Sequence, residues 1–136
     1  MRVVICSHGP AAQGMFASVE LIAGPQEDVA VITHEEAVIP EELGQEMYQK
    51  LQDMGRQSDE PAIIFVDQPY GLPYEAAMTC KAIHPSIMVA TGYNMTMLVE
   101  FFIKRGQMAP AELVNHLKMV GRDAIDIADF KQEIVH

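Results

Sequence analysis

Two side chains in this sequence could do chemistry together, His8 and Asp67, and each stands where a strand would end. The first lies in Arg2-Val3-Val4-Ile5-Cys6-Ser7-His8-Gly9-Pro10-Ala11-Ala12-Gln13-Gly14. A short apolar run, Val3 to Cys6, gives way to Ser7 and His8. Gly9 and Pro10 then break the extended backbone, and a helical pattern starts at Ala11. That order reads as buried strand, tight turn and helix start. Ligands collect beyond the carboxyl ends of strands in open α/β sheets, and helix N–H groups there attract anions. Asp67 closes Pro61-Ala62-Ile63-Ile64-Phe65-Val66, the strongest strand in the chain. If the strand order is flavodoxin-like, 2-1-3-4, strands 1 and 3 are neighbours and the two side chains meet across the crevice. A carboxylate accepting from one ring N–H fixes the tautomer and leaves the other nitrogen a free lone pair. That nitrogen can attack phosphorus and hold a phosphoryl group covalently, while the carboxylate offsets the charge developing on the ring. Backbone N–H groups around Gly9 to Ala12 are expected to receive the anionic oxygens. Taken singly, a histidine at a strand end is ordinarily a capping or loop residue, and the aspartate a turn or cap. Their joint occurrence beside a glycine turn is what points to chemistry.

The elements that must position this pair are legible in order. A first helix spans about Ala11 to Ala23, with Met15, Phe16, Val19 and Ile22 at helical spacing and a Gly24-Pro25 stop. Val29 to Ile32 forms a second buried strand, and Thr33 to Ile39 a loop holding His34, read as solvated and away from the crevice. Pro40, Glu41 and Glu42 open a helix ending near Gly55 and complement its positive end. After strand 3 comes a loop through Leu72, then a helix from Pro73 to Ile83 and a fourth strand, Ile87 to Ala90. Asn94 is expected to cap a helix that Gly106 stops, and Pro110 opens another ending near Gly121. Continuous apolar strands alternating with helices give a doubly wound α/β parallel sheet of order 2-1-3-4. Ala124 to Phe130 reads as a last, weakly patterned strand. Two consecutive helices precede it, so it either runs antiparallel or pairs with another subunit.

A chain of 136 residues, 49% hydrophobic and 21% charged, is one globular domain with a core. No apolar run approaches a membrane span, and the sequence enters a strand at once, so a cytoplasmic protein without membrane insertion is expected. A formal charge of −10 argues against nucleic acid and suits a basic protein partner. Cys6 and Cys80 are expected to be buried free thiols, since they lack the spacing of a zinc site. No metal or cofactor is implied. His84, His116 and His136 are expected at the surface, and the methionines read as core or interface filler.

With these residues in view, Val4-Ile5-Cys6-Ser7-His8-Gly9, Ile64-Phe65-Val66-Asp67 and Gly92-Tyr93-Asn94-Met95-Thr96-Met97-Leu98 resemble the EIIA component of mannose-type sugar phosphotransferase systems. The likeness runs in register along nearly the whole chain. It implies a cytoplasmic phosphocarrier whose histidine accepts a phosphoryl group from the histidine-containing phosphocarrier protein and donates it to an EIIB component. On that likeness His8 is the phosphorylated residue, through Nε2, and Asp67 orients its ring. Ser7, Gly9, Gly71 and the backbone of Leu72 are the candidate phosphoryl-binding groups. The likeness also implies a homodimer that exchanges its C-terminal strand, which would account for Ala124 to Phe130. Tyr70-Gly71-Leu72-Pro73 departs from the family's usual Gly-Gly-Ser-Pro, so Leu72 offers no hydroxyl. Thr96 replaces the usual proline. One alternative keeps the same histidine in a regulatory domain of a larger regulator. A histidine-type phosphatase would need an arginine clamp on the phosphate, and Ser7 occupies the position before His8. A receiver domain lacks its acidic cluster here and a dinucleotide binder its glycine fingerprint. A purely structural dimerisation module is a further reading, marked by inability to accept phosphate.

Overall fold

The computed structural model describes residues 1–34, 37–55 and 60–130. Four strands, β1 (Arg2–His8), β2 (Val29–His34), β3 (Ala62–Val66) and β4 (Ile87–Thr91), form one parallel sheet in the order β2-β1-β3-β4. Helices α1 (Ala11–Ala23), α2 (Pro40–Gln52), α3 (Leu72–Ile83), α4 (Met95–Lys104) and α5 (Pro110–Asp123) cover its two faces. The expected order is the observed one. Because every strand runs the same way, all four release their chain at one rim.

Strand periodicity splits the core. Val4, Cys6, Ile64 and Val66 pack with Leu43, Met47, Ala76 and Cys80 on the α2/α3 face. Val3, Ile5, Ile63 and Phe65 pack with Val19, Leu98, Phe101 and Leu113 on the other. Successive side chains point to opposite faces, so the central strands are apolar on both from Val3 to Cys6 and from Ala62 to Val66, and β1 and β3 are buried throughout except at His8. Cys6 and Cys80 are buried free thiols, and burial pushes them up to about 12 and about 11.

Local signals set the helix ends. The Asn94 side chain accepts from the Met97 N–H at 2.9 Å, as its position predicts, and its amide donates to the Gly121 carbonyl at 2.8 Å, joining the start of α4 to the end of α5. Arg105, after α4, donates to the carbonyls of Glu27 and Met1, fastening the far end of the sheet. Among the described residues, Ala124 to Phe130 forms no strand. Ile125, Ile127 and Phe130 are instead exposed. No helix among the described residues is long and apolar enough to cross a membrane.

Helices α2 and α3 approach closely at Gly44, where an added Cβ would lie 2.8 Å from the Ala76 carbonyl oxygen. Alanine would add about 1 kcal/mol of intrinsic helix preference, but overpacking against fixed backbone costs about 1–3 kcal/mol. Gly44→Ala is therefore expected to lower the urea midpoint, and an unchanged or raised midpoint would show the helices free to part.

Candidate functional site

Strand β1 delivers His8 to the rim and β3 is followed there by Asp67. Register places Cys6 opposite Val66, so the two chain ends leave the sheet side by side. Asp67 Oδ2 accepts two hydrogen bonds from one residue, the His8 backbone N–H at 3.0 Å and its ring Nδ1–H at 2.9 Å. A carboxylate only accepts, so Nδ1 carries the proton and Nε2 keeps its lone pair in the neutral ring. The His8 side chain is 52% exposed and that of Asp67 22%, so the imidazole is open while its partner is sheltered.

Nε2 faces the start of α3. A Cβ built on Gly71 would lie 3.0 Å from Nε2 and 3.1 Å from Cε1, and Gly71 has φ +91°, a conformation side chains rarely adopt. Gly71 is the N-cap of α3, and no side chain caps the helix. Its carbonyl already accepts the Glu75 N–H at 3.0 Å, and Pro73 has no N–H. The first-turn N–H groups of Leu72 and Tyr74 have no acceptor within the helix. The positive end of the α3 dipole thus lies beside Nε2.

Ser7 and Gly9 sit differently from the expectation. Ser7 alternates onto the face opposite His8, is fully buried, accepts from the Ala12 N–H at 2.8 Å and donates to the Gly9 carbonyl at 3.0 Å. The Gly9 N–H donates to the His34 carbonyl at 2.7 Å, with Gly9 at φ +58°. These groups hold the turn that aims His8. The Gly9 and Ala12 donors expected for anionic oxygens are engaged inside the protein, and the donors near Nε2 come from α3.

Two further residues border the site. β2 runs beyond its apolar stretch because Thr33 and His34 pair in register with Ser7 and His8. His34 therefore ends a strand and lies on the same face as His8. It is half-buried, and its Nε2 is buried with no hydrogen-bond partner among the described residues. The matching polar pairs after two apolar runs were the available signal. The Tyr93 hydroxyl donates to the Cys6 carbonyl at 3.2 Å, and burial together with the Asp67 carboxylate pushes its ionisation up, so it stays a neutral donor. A single tyrosine in a polar loop has no pattern to reveal this. Among the described residues no group of three or more histidines, cysteines or carboxylates is placed to hold a metal ion.

The model of the EIIA-man family, described as PTS system fructose IIA component, matches residues 2–118. The chain is similar to the sorbose-specific EIIA component of the phosphotransferase system of Klebsiella pneumoniae, 26% identical over 121 residues, covering 88% of this chain and 86% of that protein. It is similar to the fructose-specific EIIA component of Bacillus subtilis, 24% identical over 127 residues, covering 93% and 86%. A similar fold is seen in the mannose/sorbose-specific IIA subunit of Enterococcus faecalis, with TM-score 0.77 and 24% identity over 97% of both chains.

A methyl group at residue 71 would press on Nε2 and strain the backbone by about 1–3 kcal/mol. Gly71→Ala is expected to shift the His8 ring resonances and remove most of its reactivity toward phosphoryl donors, with the fold retained by circular dichroism. Unaltered ring resonances would contradict the contact.

Proposed function

The chain belongs to the EIIA family of mannose, fructose and sorbose-type phosphotransferase systems, and from that membership we propose that it carries a phosphoryl group on His8 Nε2 between two partner proteins. The donor is the histidine-containing phosphocarrier protein and the acceptor an EIIB component. Both act in the cytoplasm. The observation that carries this reading is the pair of hydrogen bonds that Asp67 Oδ2 accepts from His8, which leaves the Nε2 lone pair facing the start of α3.

The chemistry follows from those positions. The Nε2 lone pair attacks phosphorus as the donor's N–P bond breaks, and the donor ring keeps that electron pair. His8 becomes a phosphorylated imidazolium whose Nδ1–H stays on Asp67, and the nearby carboxylate offsets the new positive charge. The N–H groups of Gly71, Leu72 and Tyr74 supply the phosphoryl-oxygen contacts that the family's serine hydroxyl would otherwise make. Transfer onward reverses the sequence: the acceptor nucleophile takes phosphorus and Nε2 regains its lone pair. Because the phosphoryl group passes from protein to protein, no residue of this chain need read the sugar.

The same reading takes the working form to be a homodimer. Among the described residues β4 is an edge strand of the sheet, and a groove of about 600 Å³ runs along it, lined by Met88, Ala90, Lys118 and Arg122. Residues 124–130 carry exposed Ile125, Ile127 and Phe130 in the same chain. An edge strand and an apolar segment that pairs with no strand among the described residues are complementary.

Incubated with the phosphorylated phosphocarrier protein, the wild-type chain is expected to gain one phosphoryl group. His8→Ala should gain none, and Asp67→Ala should accept it about 10²–10⁴-fold more slowly. Label retained by His8→Ala would contradict the site, and unchanged kinetics in Asp67→Ala would contradict the role of the carboxylate. In sedimentation, the full chain is expected as a dimer and a chain ending at Asp123 as a monomer. A monomeric full chain would contradict the dimer.

A further inference from the structure

Beside the reactive nitrogen, the loop joining β3 to α3 presents a large side chain that the chemistry does not use. Tyr70 immediately precedes Gly71, whose Cα borders His8 Nε2, and is 66% exposed. The neighbouring helix start adds a second apolar side chain. Because α2 and α3 run side by side and touch at Gly44 and Ala76, the residues four positions earlier, Pro40 and Leu72, lie at about the same height along the two helices. Ile39, just before α2, is 54% exposed there. Glu41 and Glu42 follow on the first turn of α2, both exposed.

We propose that Tyr70 is the aromatic anchor on which the phosphoryl-donor protein docks, with Ile39 at the start of the neighbouring helix as a second apolar contact. The argument rests on the phosphoryl-carrier reading of His8 and adds to it the residue that recognises the donor. Direct transfer brings the two reacting nitrogens to within a phosphoryl group of each other, in line through phosphorus. A donor protein that reaches Nε2 must therefore cover the residue next to Gly71. A tyrosine offers a large rigid apolar face with few rotatable bonds and a polar tip, and such residues dominate the centres of protein interfaces. Glu41, Glu42 and the overall charge of −10 select the rest of the partner surface. A partner surface rich in lysine and arginine fits these carboxylates, and complementary charge of that kind raises the association rate.

The test separates docking from chemistry by comparing two donors, the phosphorylated phosphocarrier protein and phosphoramidate, a small molecule whose N–P bond is broken by Nε2 with loss of ammonia. For Tyr70→Ala the expected result is a KM for the protein donor raised about 10–100-fold, with kcat at saturation and the phosphoramidate rate unchanged. Tyr70→Phe should recover most of the affinity. Transfer from the protein donor should slow as ionic strength rises. A protein-donor KM within twofold of wild type overturns the anchor. So does a phosphoramidate rate that falls in parallel, since Tyr70 would then be acting on His8 itself. A rate insensitive to salt overturns the cationic surface of the partner. If wild type accepts phosphoryl from neither donor, the reading of His8 falls and the anchor with it. Acceptance from both donors by wild type and Tyr70→Ala alike removes the anchor alone.

Discussion

A single carboxylate oxygen, Asp67 Oδ2, accepts both the backbone N–H and the ring Nδ1–H of His8. The site depends on that contact. Hydrogen bonds to an ionised acceptor contribute about 1.5–3 kcal/mol each, less where water competes. Immobilising a side chain costs at most about 2 kcal/mol. Even after discounting for the half-exposed ring, the Nδ1–H bond is of the size needed to hold one ring orientation at an open rim, and the backbone bond fixes the carboxylate that receives it. The contact also settles which nitrogen carries the proton, and so which one can act as a nucleophile. It requires β1 and β3 to be adjacent and in a register that ends both together. A one-residue slip of either strand would turn His8 or its neighbours into the core.

The remainder of the architecture holds the surroundings of Nε2 in place. Ser7 and His34 both fix the turn at Gly9, one through a buried hydroxyl and the other through a strand-end carbonyl. The close approach of α2 and α3 at Gly44 sets the height at which α3 begins. Gly71 then lets the backbone pass within contact of the imidazole. A larger residue at either glycine would meet fixed atoms rather than open space.

Much of this was legible in the sequence because it depends on burial and periodicity. Continuous apolar runs identified the parallel strands, and the strand ends identified His8 and Asp67 before any contact was known. The fates of Ser7 and Gly9 depend on hydrogen-bond partners that composition does not reveal. Period-two alternation does hold the clue for Ser7, which shares a face with Val3 and Ile5, whereas His8 shares one with Val4 and Cys6. His34 escaped because edge strands carry polar residues that resemble a loop, and only the pairing with Ser7 and His8 extends β2 to it. Ala124 to Phe130 has a weak strand pattern but pairs with no strand among the described residues, so a pattern read from one chain places it in no sheet.

The central claim is that Asp67 holds the proton on Nδ1 and thereby leaves Nε2 to accept phosphorus. Nitrogen NMR of the His8 ring tests it most directly, before and after phosphorylation. The account predicts a neutral ring protonated at Nδ1, then an N–P bond at Nε2 with the Nδ1–H retained. A ring protonated at Nε2, or a phosphoryl group found on Nδ1, would contradict it.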